Sequence, residues 1–221
     1  MIDLSPRFPE VVVAGERLVL LPQRAAYWPA RQTLFVADLH IGKAATFRAA
    51  GAPVPPGTTT ETLERLSEAL EIAGSDRLVV LGDLFHARPG REAGRTMDAL
   101  ARWRERWPDL RVEVVRGNHD RHAGDAPASL GFVAVEEPFA DGPFRLKHFP
   151  DAEPDGYVLA GHLHPAVVLR GGGERLRLPC FYFGERVGIL PAFGALTGTA
   201  TMRPVHGDRV FVIADGEVLE V

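Results

Sequence analysis

The sequence predicts an α/β fold in which two mixed sheets pack face to face with helices on their outer sides. Short apolar runs alternate with helical patterns through the first half of the chain, and from Phe132 onward short strands and turn residues take over. Four of the apolar runs also end in polar or glycine-rich turns. The loops that follow alternating strands gather at one edge of a sheet, where ligand sites form in α/β proteins.

Strands are predicted where short apolar runs lie between turn signals. Residues 1–32 are predicted to be rich in strands that lie at the edge of a sheet. Individual strands are expected at residues 17–21, 33–37, 77–81, 112–115 and 157–160. Residues 49–58 are rich in glycine and proline and predict a surface loop, and Gly171-Gly172-Gly173 indicates a hairpin turn.

Two helices are predicted between these strands. Thr58 and Glu61 fit a capping box that opens the first helix, on which Leu63, Leu66, Leu70 and Ala73 share one face. The second helix covers residues 92–107, with Met97, Leu100, Trp103 and Trp107 on its apolar face. Four arginines share its opposite face: Arg91, Arg95, Arg102 and Arg106. Two interpretations of these arginines stay open, contact with a nucleic-acid backbone and an ordinary solvated surface.

Length and composition favour a single domain over residues 1–221, because a chain of 221 residues that is 46% hydrophobic can bury one good core. One cysteine excludes intramolecular disulfides and fits a reducing cytoplasm. We see neither a signal peptide nor a membrane span, so we expect a cytoplasmic protein without a membrane partner. The net charge of −4 argues against extensive duplex binding but allows a small basic groove.

Five short motifs carry metal-binding side chains in a fixed order along the chain. They are Asp38-Leu39-His40, Gly82-Asp83, Gly117-Asn118-His119-Asp120, His148 and Gly161-His162-Leu163-His164. From this composition, Gly-Asn-His-Asp is expected only about 0.0002 times by chance and Gly-His-x-His about 0.03 times. Carboxylate, amide and imidazole ligands together suit two divalent transition metals that share a bridging carboxylate, an arrangement used for displacement at phosphorus.

These motifs resemble those of the calcineurin-like metallophosphoesterase superfamily over roughly residues 33–165. A finer resemblance, to the bacterial ligase-associated DNA damage response endonucleases (PdeM-like), lies in residues 37–48, 51–55, 81–87 and 190–194. The resemblance implies a four-layer α/β/β/α sandwich, a metallophosphoesterase fold with two metal ions. It implies one metal held by Asp38, His40, Asp83 and His164, and a second held by Asp83, Asn118, His148 and His162. His148 departs from the pattern, because it lacks the glycine that often follows this histidine.

The same resemblance implies the catalytic roles. A metal-bridging hydroxide attacks phosphorus in line, and His119 acts as the general acid that protonates the leaving oxygen. Asp120 either orients His119 or simply ends the turn. Lys43 and Arg48 follow the first motif and are candidate phosphate contacts, with Arg48 favoured because a guanidinium matches two phosphate oxygens. The alternative for both is an ordinary solvated cation, and His86 is either a substrate contact or a polar loop residue.

The leading expectation is a phosphodiesterase with two divalent metals, manganese by preference, that acts on DNA as an endo- or exonuclease in repair. Phosphoester chemistry rests on the motifs, whereas DNA, and a functional association with a DNA ligase and a helicase, rest on the resemblance. Oxygen and nitrogen ligands accept Mn, Fe, Zn and Ni alike. Two alternatives stay open: a phosphodiesterase or phosphatase for a small nucleotide or other small phosphoester, and a non-catalytic binding scaffold. The sequence leaves the oligomeric state open.

Overall fold

The first sheet contains seven strands in sequence order, and its parallel half positions three of the five motifs. The computed structural model describes Leu4 and residues 7–221. The strands are β1 (Glu10–Val13), β2 (Glu16–Leu21), β3 (Ala25–Trp28), β4 (Thr33–Val36), β5 (Arg77–Leu81), β6 (Arg111–Val115) and β7 (Phe132–Val135). The first four pair antiparallel, and β4 to β7 pair parallel. Parallel neighbours point the same way, so the carboxyl ends of β4, β5 and β6 lie at one edge.

The helices cover the outer face of this sheet. In the described part of the chain they are α1 (Lys43–Ala49), α2 (Thr58–Ala73), α3 (Arg88–Glu92), α4 (Gly94–Arg106) and α5 (Asn118–Ala123), with short 3-10 turns at Pro29–Arg31 and Ala128–Leu130. Leu66 and Leu70 of α2 and Trp103 of α4 are buried with Leu78 and Val80 of β5 in one apolar cluster. The amphipathic faces of the two longest helices therefore hold this layer on the sheet. No helix among these residues is both long and apolar enough to cross a bilayer.

The second sheet is built from the remaining strands. They are β8 (Phe139–Asp141), β9 (Phe144–Leu146), β10 (Tyr157–Ala160), β11 (Pro165–Gly171), β12 (Glu174–Phe183), β13 (Val187–Ile189), β14 (Ala200–Thr201), β15 (Arg209–Ala214) and β16 (Glu217–Glu220). Their order is β14-β11-β12-β13-β10-β9-β8, and β15 pairs with β12 and β16. Strand β10 is parallel to β9 and β13, which places the residues after β9 and β10 at the same edge.

An aromatic core joins the two sheets. Trp28 and Phe35 from the first sheet and Phe144, Phe181 and Phe211 from the second are each at most 1% exposed. Trp28 and Phe144 meet edge to face, with ring centroids 4.9 Å apart. Burial of each such side chain contributes about 2–3 kcal/mol before the cost of conformational entropy. This core fixes one sheet relative to the other, and with it the loops at their shared edge.

The architecture confirms the predicted α/β fold of two mixed sheets flanked by helices. The predicted strands and the hairpin at Gly171 are present, as β11 and β12 pair from Gly171 and Glu174 outward. The described helices form one layer on the first sheet, however, because every α-helix in the described residues precedes Phe132. The outer face of the second sheet carries the small apolar cluster around Cys180 and Val212 instead of a helix. Residues 1–3, 5 and 6 of the predicted edge segment lie outside the described residues.

Two helix predictions were wrong in detail. Thr58 does not cap α2, because Gly57 occupies the cap position at φ 114° and no side chain bonds to the first-turn amides. The helix predicted at 92–107 begins later, at Gly94, because Ala93 is extended (φ −66°, ψ 119°) and separates α3 from α4. Helix α1 was not predicted from the sequence. The structure therefore leaves the amino end of α2 without a side-chain cap.

Candidate metal centre

The candidate ligands lie in the loops that follow five strands. Asp38 and His40 follow β4, Asp83 follows β5, and Asn118 opens α5 after β6. The remaining three come from the second sheet, His148 after β9 and His162 and His164 after β10. The edges of the two packed sheets thus bring all seven side chains to one place, although they span 127 positions of sequence from Asp38 to His164.

Strained backbone holds several of these residues. Ten non-glycine residues in the described chain have a positive φ, and five of them are candidate ligands: Asp38, His40, Asp83, His162 and His164. Their φ values lie between 46° and 68°. Side chains rarely adopt this left-handed region, and each such residue costs about 1 kcal/mol or more. Strain concentrated in this way is typical of a site whose side chains must converge.

Glycines before the ligands let the loops pack closely. A Cβ atom on Gly82 would lie 2.1 Å from Nδ1 of His148, and one on Gly117 would lie 2.2 Å from Oδ1 of Asp83. A Cβ on Gly161 would lie 2.6 Å from Oδ2 of Asp38. Each of these three glycines is therefore required, because a side chain there would collide with a candidate ligand from a different motif.

One group of ligand atoms surrounds His40. Its Nε2 lies 3.4 Å from Nε2 of His164 and 3.8 Å from Oδ2 of Asp83. Nε2 of His164 is in turn 3.6 Å from Oδ1 of Asp38. Nδ1 of His164 donates a hydrogen bond to the carbonyl oxygen of Gly198 (2.9 Å), so in the neutral ring the lone pair of His164 lies on Nε2. The first group therefore consists of two carboxylates and two imidazoles whose Nε2 atoms face each other.

A second group surrounds His148, which is 0% exposed. Nε2 of His148 lies 2.9 Å from Oδ1 of Asn118, 3.1 Å from Nδ1 of His162 and 3.5 Å from Oδ2 of Asp83. Nδ1 of His148 donates to the carbonyl oxygen of Leu81 (3.2 Å), which leaves Nε2 unprotonated. Asp83 therefore stands between the two groups and contributes Oδ2 to both.

Both groups fit a divalent cation. Ligand atoms bound about 2.1 Å from one cation lie about 3.0–3.4 Å from one another, close to the spacings found here. Lone pairs of neutral imidazoles, an amide oxygen and two carboxylates repel one another unless a positive charge lies between them. Within the described residues, Asp38, His40 and His164, and Asp38, Asp83 and His148, offer their ligand atoms within 4.8 Å of one another. The donor set contains no thiolate, which suits borderline and hard divalent metals.

Charge at the floor of the site is unbalanced without a cation. Asp38 and Asp83 are 0% and 2% exposed. Burial, and then the neighbouring Asp38, raise the pKa of Asp83 to about 8. Burial, followed by Lys43, lowers the pKa of His40 to about 2, so this imidazole is neutral and available as a ligand. Lys43 lies close enough to both carboxylates to interact with their charge, while burial lowers its own pKa.

His119 stands at the mouth of this site. Its side chain is 36% exposed, and its Nε2 lies 4.0 Å from Oδ2 of Asp83. Nδ1 of His119 is 2.5 Å from the carbonyl oxygen of His86, to which it donates, and this contact turns Nε2 toward the candidate ligands. The two rings stack with centroids 4.9 Å apart. Burial, and then Lys43, lower the pKa of His86 to about 4.

Asp120 is buried below His119 and bonds to backbone amides. Its carboxylate accepts hydrogen bonds from the N–H groups of Asp83 (2.8 Å), Gly117 (3.0 Å) and Phe85 (3.2 Å). Burial raises its pKa, against the opposing effect of these bonds. In the described structure the Asp120 carboxylate thus joins the loop after β5 to the start of α5, and its hydrogen bonds go to backbone and not to the His119 ring. This arrangement favours a role in positioning the two loops.

Arg48 lies away from the cluster, unlike Lys43. Its Nη1 donates to the carbonyl oxygens of Val54 and Pro55, each at 3.2 Å, at the far end of α1. Lys43 starts the same helix beside the ligand loop. Of the three predicted substrate contacts, the structure brings Lys43 and His86 to the site and leaves Arg48 about one and a half helical turns away.

Two supporting features were not found from the sequence. Oε2 of Glu137 accepts hydrogen bonds from the backbone of His148 (2.7 Å) and Phe149 (3.2 Å), and so holds the loop after β9. The late segment 190–194 joins the first ligand loop, where Gly194 N–H donates to the carbonyl oxygen of Asp38 (2.9 Å). A Cβ on Gly194 would lie 2.2 Å from the carbonyl oxygen of Leu39. The resemblance over residues 190–194 was a visible signal for the second feature, and Glu137 had none.

Comparisons with known proteins agree with this geometry. The family model of the calcineurin-like phosphoesterases matches residues 32–184. The solved structure of nuclease MPE from Pseudomonas putida is 44% identical to this chain at a TM-score of 0.85, covering 97% of this chain and 100% of that one. No protein with a curated description matches the chain significantly.

Two more distant structures also align. Yfce, a phosphoesterase from E. coli, is 15% identical at a TM-score of 0.42, over 86% of this chain and 97% of its own. A double mutant of Vps29 from Entamoeba histolytica is 17% identical at 0.33, over 86% and 96%. Likenesses this weak bear on neither fold nor function here. The conclusion therefore rests on the family match, on the similarity to the nuclease and on the clustered metal-binding side chains: the chain is a metal-dependent phosphoesterase and belongs to the calcineurin-like phosphoesterase family.

Proposed function

We propose that this protein is a phosphodiesterase with two divalent metals, acting on DNA as an endo- or exonuclease. One observation carries the two-metal part of the proposal. Oδ2 of Asp83 lies 3.8 Å from Nε2 of His40 and 3.5 Å from Nε2 of His148, between the two groups of candidate ligands. A carboxylate spans two cations more readily than a neutral imidazole does. Asp38, His40, Asp83 and His164 would hold one metal, and Asp83, Asn118, His148 and His162 the other.

The metals would supply Lewis-acid activation of the phosphoryl oxygens and of the attacking water. The chain's own residues would balance charge, bind the phosphate and position the loops. The two buried carboxylates would balance the charge of the metals, and the uncharged Asn118 oxygen limits excess negative charge beside an anionic phosphate. Lys43, next to the carboxylates, offers a cation to a phosphate oxygen. Asp120 keeps the loops of Asp83 and His119 at a fixed separation through its backbone hydrogen bonds.

His119 serves as the general acid in this proposal. With Nδ1 held by the carbonyl oxygen of His86, Nε2 faces the site and its proton reaches the oxygen that leaves phosphorus. Proton transfer of this kind contributes about 10²–10⁴-fold in rate when the leaving group is a poor one. A deoxyribose hydroxyl is a poor leaving group, whereas p-nitrophenolate leaves without help. His86 supports His119 by stacking and borders the space that the substrate would enter.

A nucleic-acid substrate is supported by the similarity to nuclease MPE, at 44% identity over 97% of this chain. DNA in particular rests on the likeness to the ligase-associated DNA damage response endonucleases. Manganese fits the oxygen and nitrogen donors, as do iron, zinc and nickel. A role in DNA repair beside a ligase and a helicase follows only from the likeness to the ligase-associated endonucleases. We propose this role for the chain on that basis. We also propose that the chain is a single domain and that it is cytoplasmic.

The test is a substrate panel with added Mn²⁺: single-stranded DNA, duplex DNA and bis-p-nitrophenyl phosphate. We expect Asp83→Ala to abolish hydrolysis of every substrate. His119→Ala should lower DNA cleavage by about 10²–10⁴-fold and affect the p-nitrophenyl diester far less. His206→Ala, at an exposed histidine outside the motifs, is the matched control and should behave as wild type.

Other outcomes lead to different conclusions. Hydrolysis of the small diester without any cleavage of DNA would retain the two-metal site and overturn the nuclease proposal in favour of a small phosphoester substrate. A protein that binds Mn²⁺ and hydrolyses none of the three would overturn the enzymatic proposal and support a binding scaffold.

A further inference from the structure

A groove opens between α1, α2 and α4, at the far end of α1 from the metal centre. Its volume is about 250 Å³, and its lining includes Arg48 from α1, Arg95 and Arg102 from α4, and the threonines that open α2. All three arginines are exposed. Asp98 is the one acidic residue of the lining. The groove is thus locally basic, although the chain has a net charge of −4.

The arginines of this groove form no ion pair within the described residues. Arg95 and Arg102 make no hydrogen bond there either. Arg48 donates only to the backbone oxygens of Val54 and Pro55, which are neutral. Arg116, by contrast, is paired with Asp125 (2.6 Å) and Glu136 (2.6 Å). Three guanidiniums around one groove, with Asp98 as the one carboxylate of the lining, are available to an anion.

Other polar groups also line the groove. Thr96 lies on its wall and is 4% exposed. The first turn of α2 opens beside it at Gly57 without any side-chain cap, and its free amides carry the positive end of the helix dipole. These donors match the oxygens of a phosphate.

Helix α1 connects the metal centre to the groove. Lys43 begins α1 beside Asp38 and Asp83, and Arg48 is five residues further, about 7.5 Å along the helix axis. The start of α1 is packed tightly, since a Cβ on Gly42 would lie 2.6 Å from the carbonyl oxygen of Gly90. Helix α1 therefore spans the distance from the first ligand loop to the groove.

We propose that this groove, formed by Arg48, Arg95, Arg102, Thr96 and the first turn of α2, binds a backbone phosphate of a single DNA strand whose scissile phosphate lies at the metal centre. The proposal rests on the proposed nuclease function and adds to it the residues that would distinguish a polymer from a small diester. A small phosphoester is too short to reach both places, so the groove contributes to binding of the polymer alone.

The test compares the double variant Arg95→Gln/Arg102→Gln with wild type on single-stranded DNA and on bis-p-nitrophenyl phosphate, each at several NaCl concentrations. We expect KM for DNA to rise about tenfold, kcat for DNA to change less than about twofold, and both constants for the small diester to stay unchanged. The slope of log(kcat/KM) for DNA against log[NaCl] should become shallower by about 0.7, since the groove is proposed to bind one phosphate and each phosphate contact on a single strand contributes about 0.7. Arg106→Gln, on the same helix and 4.0 Å from Glu71, is the control for loss of charge and should match wild type.

The outcomes separate this proposal from the proposed function. Wild-type cleavage of DNA together with an unchanged KM and salt dependence in the double variant overturns the groove proposal alone. An equal rise of KM in Arg106→Gln also overturns it, because the effect would then be one of general charge. A wild-type protein that hydrolyses the small diester but does not cleave DNA overturns the nuclease function, and the groove proposal with it.

Discussion

His40 and His164 face each other through their Nε2 atoms, 3.4 Å apart and 124 positions apart in sequence. Nδ1 of His164 donates to the carbonyl oxygen of Gly198, which leaves Nε2 of the neutral ring free to bind a metal. A cation shared by the two Nε2 atoms would stabilise this contact. The pair is therefore the clearest sign of the first metal position, as His148 with Asn118 is of the second.

Removal of one imidazole should remove one metal. We expect His164→Ala to bind one equivalent of Mn²⁺ where wild type binds two, because the second group of donors keeps its four members. Metal analysis of dialysed protein measures this directly, with His206→Ala as the control. Two equivalents in His164→Ala would contradict the assignment of this histidine.

The buried carboxyl group of Asp83 should lower the free energy of unfolding of the metal-free protein as the pH rises. Its pKa in the folded chain is raised to about 8, chiefly by burial. A raised carboxyl pKa means that the folded state holds a proton that the unfolded state loses near pH 4, so this group weakens stability progressively from about pH 4 to pH 8. With EDTA present, we expect Asp83→Asn to melt several degrees above wild type at pH 8, and nearly with wild type at pH 5, by calorimetry. Equal melting temperatures at pH 8 would rule out this account of the buried charge.

The motif glycines should be needed for the site and not for the fold. A Cβ on Gly117 meets Oδ1 of Asp83 at 2.2 Å, although the glycine has an ordinary φ of −87°. Gly117→Ala should therefore displace Asp83, weaken Mn²⁺ binding by more than tenfold in calorimetric titration, and leave the far-UV circular dichroism unchanged. Gly94→Ala, where a Cβ meets nothing within 4 Å, is the matched control. Normal metal affinity in Gly117→Ala would contradict the close-packing argument.

An ion pair between the sheets should contribute to stability without affecting catalysis. Arg77 of β5 bonds to Glu113 of β6 (2.6 Å) and to Asp141 of β8, and its side chain is 8% exposed. Arg77→Met leaves two carboxylates without their cation, and we expect a loss of about 3 kcal/mol in the free energy of unfolding by urea. Arg209→Met breaks an exposed pair with Glu220 (2.7 Å) and should cost less than about 1 kcal/mol. Similar losses in both variants would show that burial does not distinguish the two pairs.

More of the candidate site than of the surface around it could be predicted from the sequence. Six of the candidate ligands follow apolar runs that were predicted as strands, and a buried strand fixes where the loop after it begins. His148 follows no such run and was assigned only from its order among the motifs. The sheet edge then brings these side chains together whatever the loops between them do. His119 and Lys43 lie beside ligands in sequence and so lie near them in space.

Features that depend on contacts between helices were not predicted. Thr58 and Glu61 match a capping box, yet Gly57 opens α2, because the pattern does not show which residue first adopts helical torsions. The break at Ala93 was missed since the apolar spacing continues through it, and Gly94 was the only local sign. Arg91, predicted to share a face with Arg95 and Arg102, lies on α3 and bonds to the carbonyl oxygen of Asp125 (2.8 Å). The basic groove appears only once α1, α2 and α4 are packed together.

The most direct test of the central claim is a titration of metal-free protein with Mn²⁺ in which bound metal and cleavage of single-stranded DNA are measured in the same samples. Two metals sharing Asp83 predict two bound equivalents per chain, with little cleavage until the second site fills. Full activity at one bound equivalent, or saturation at one, would contradict a two-metal nuclease.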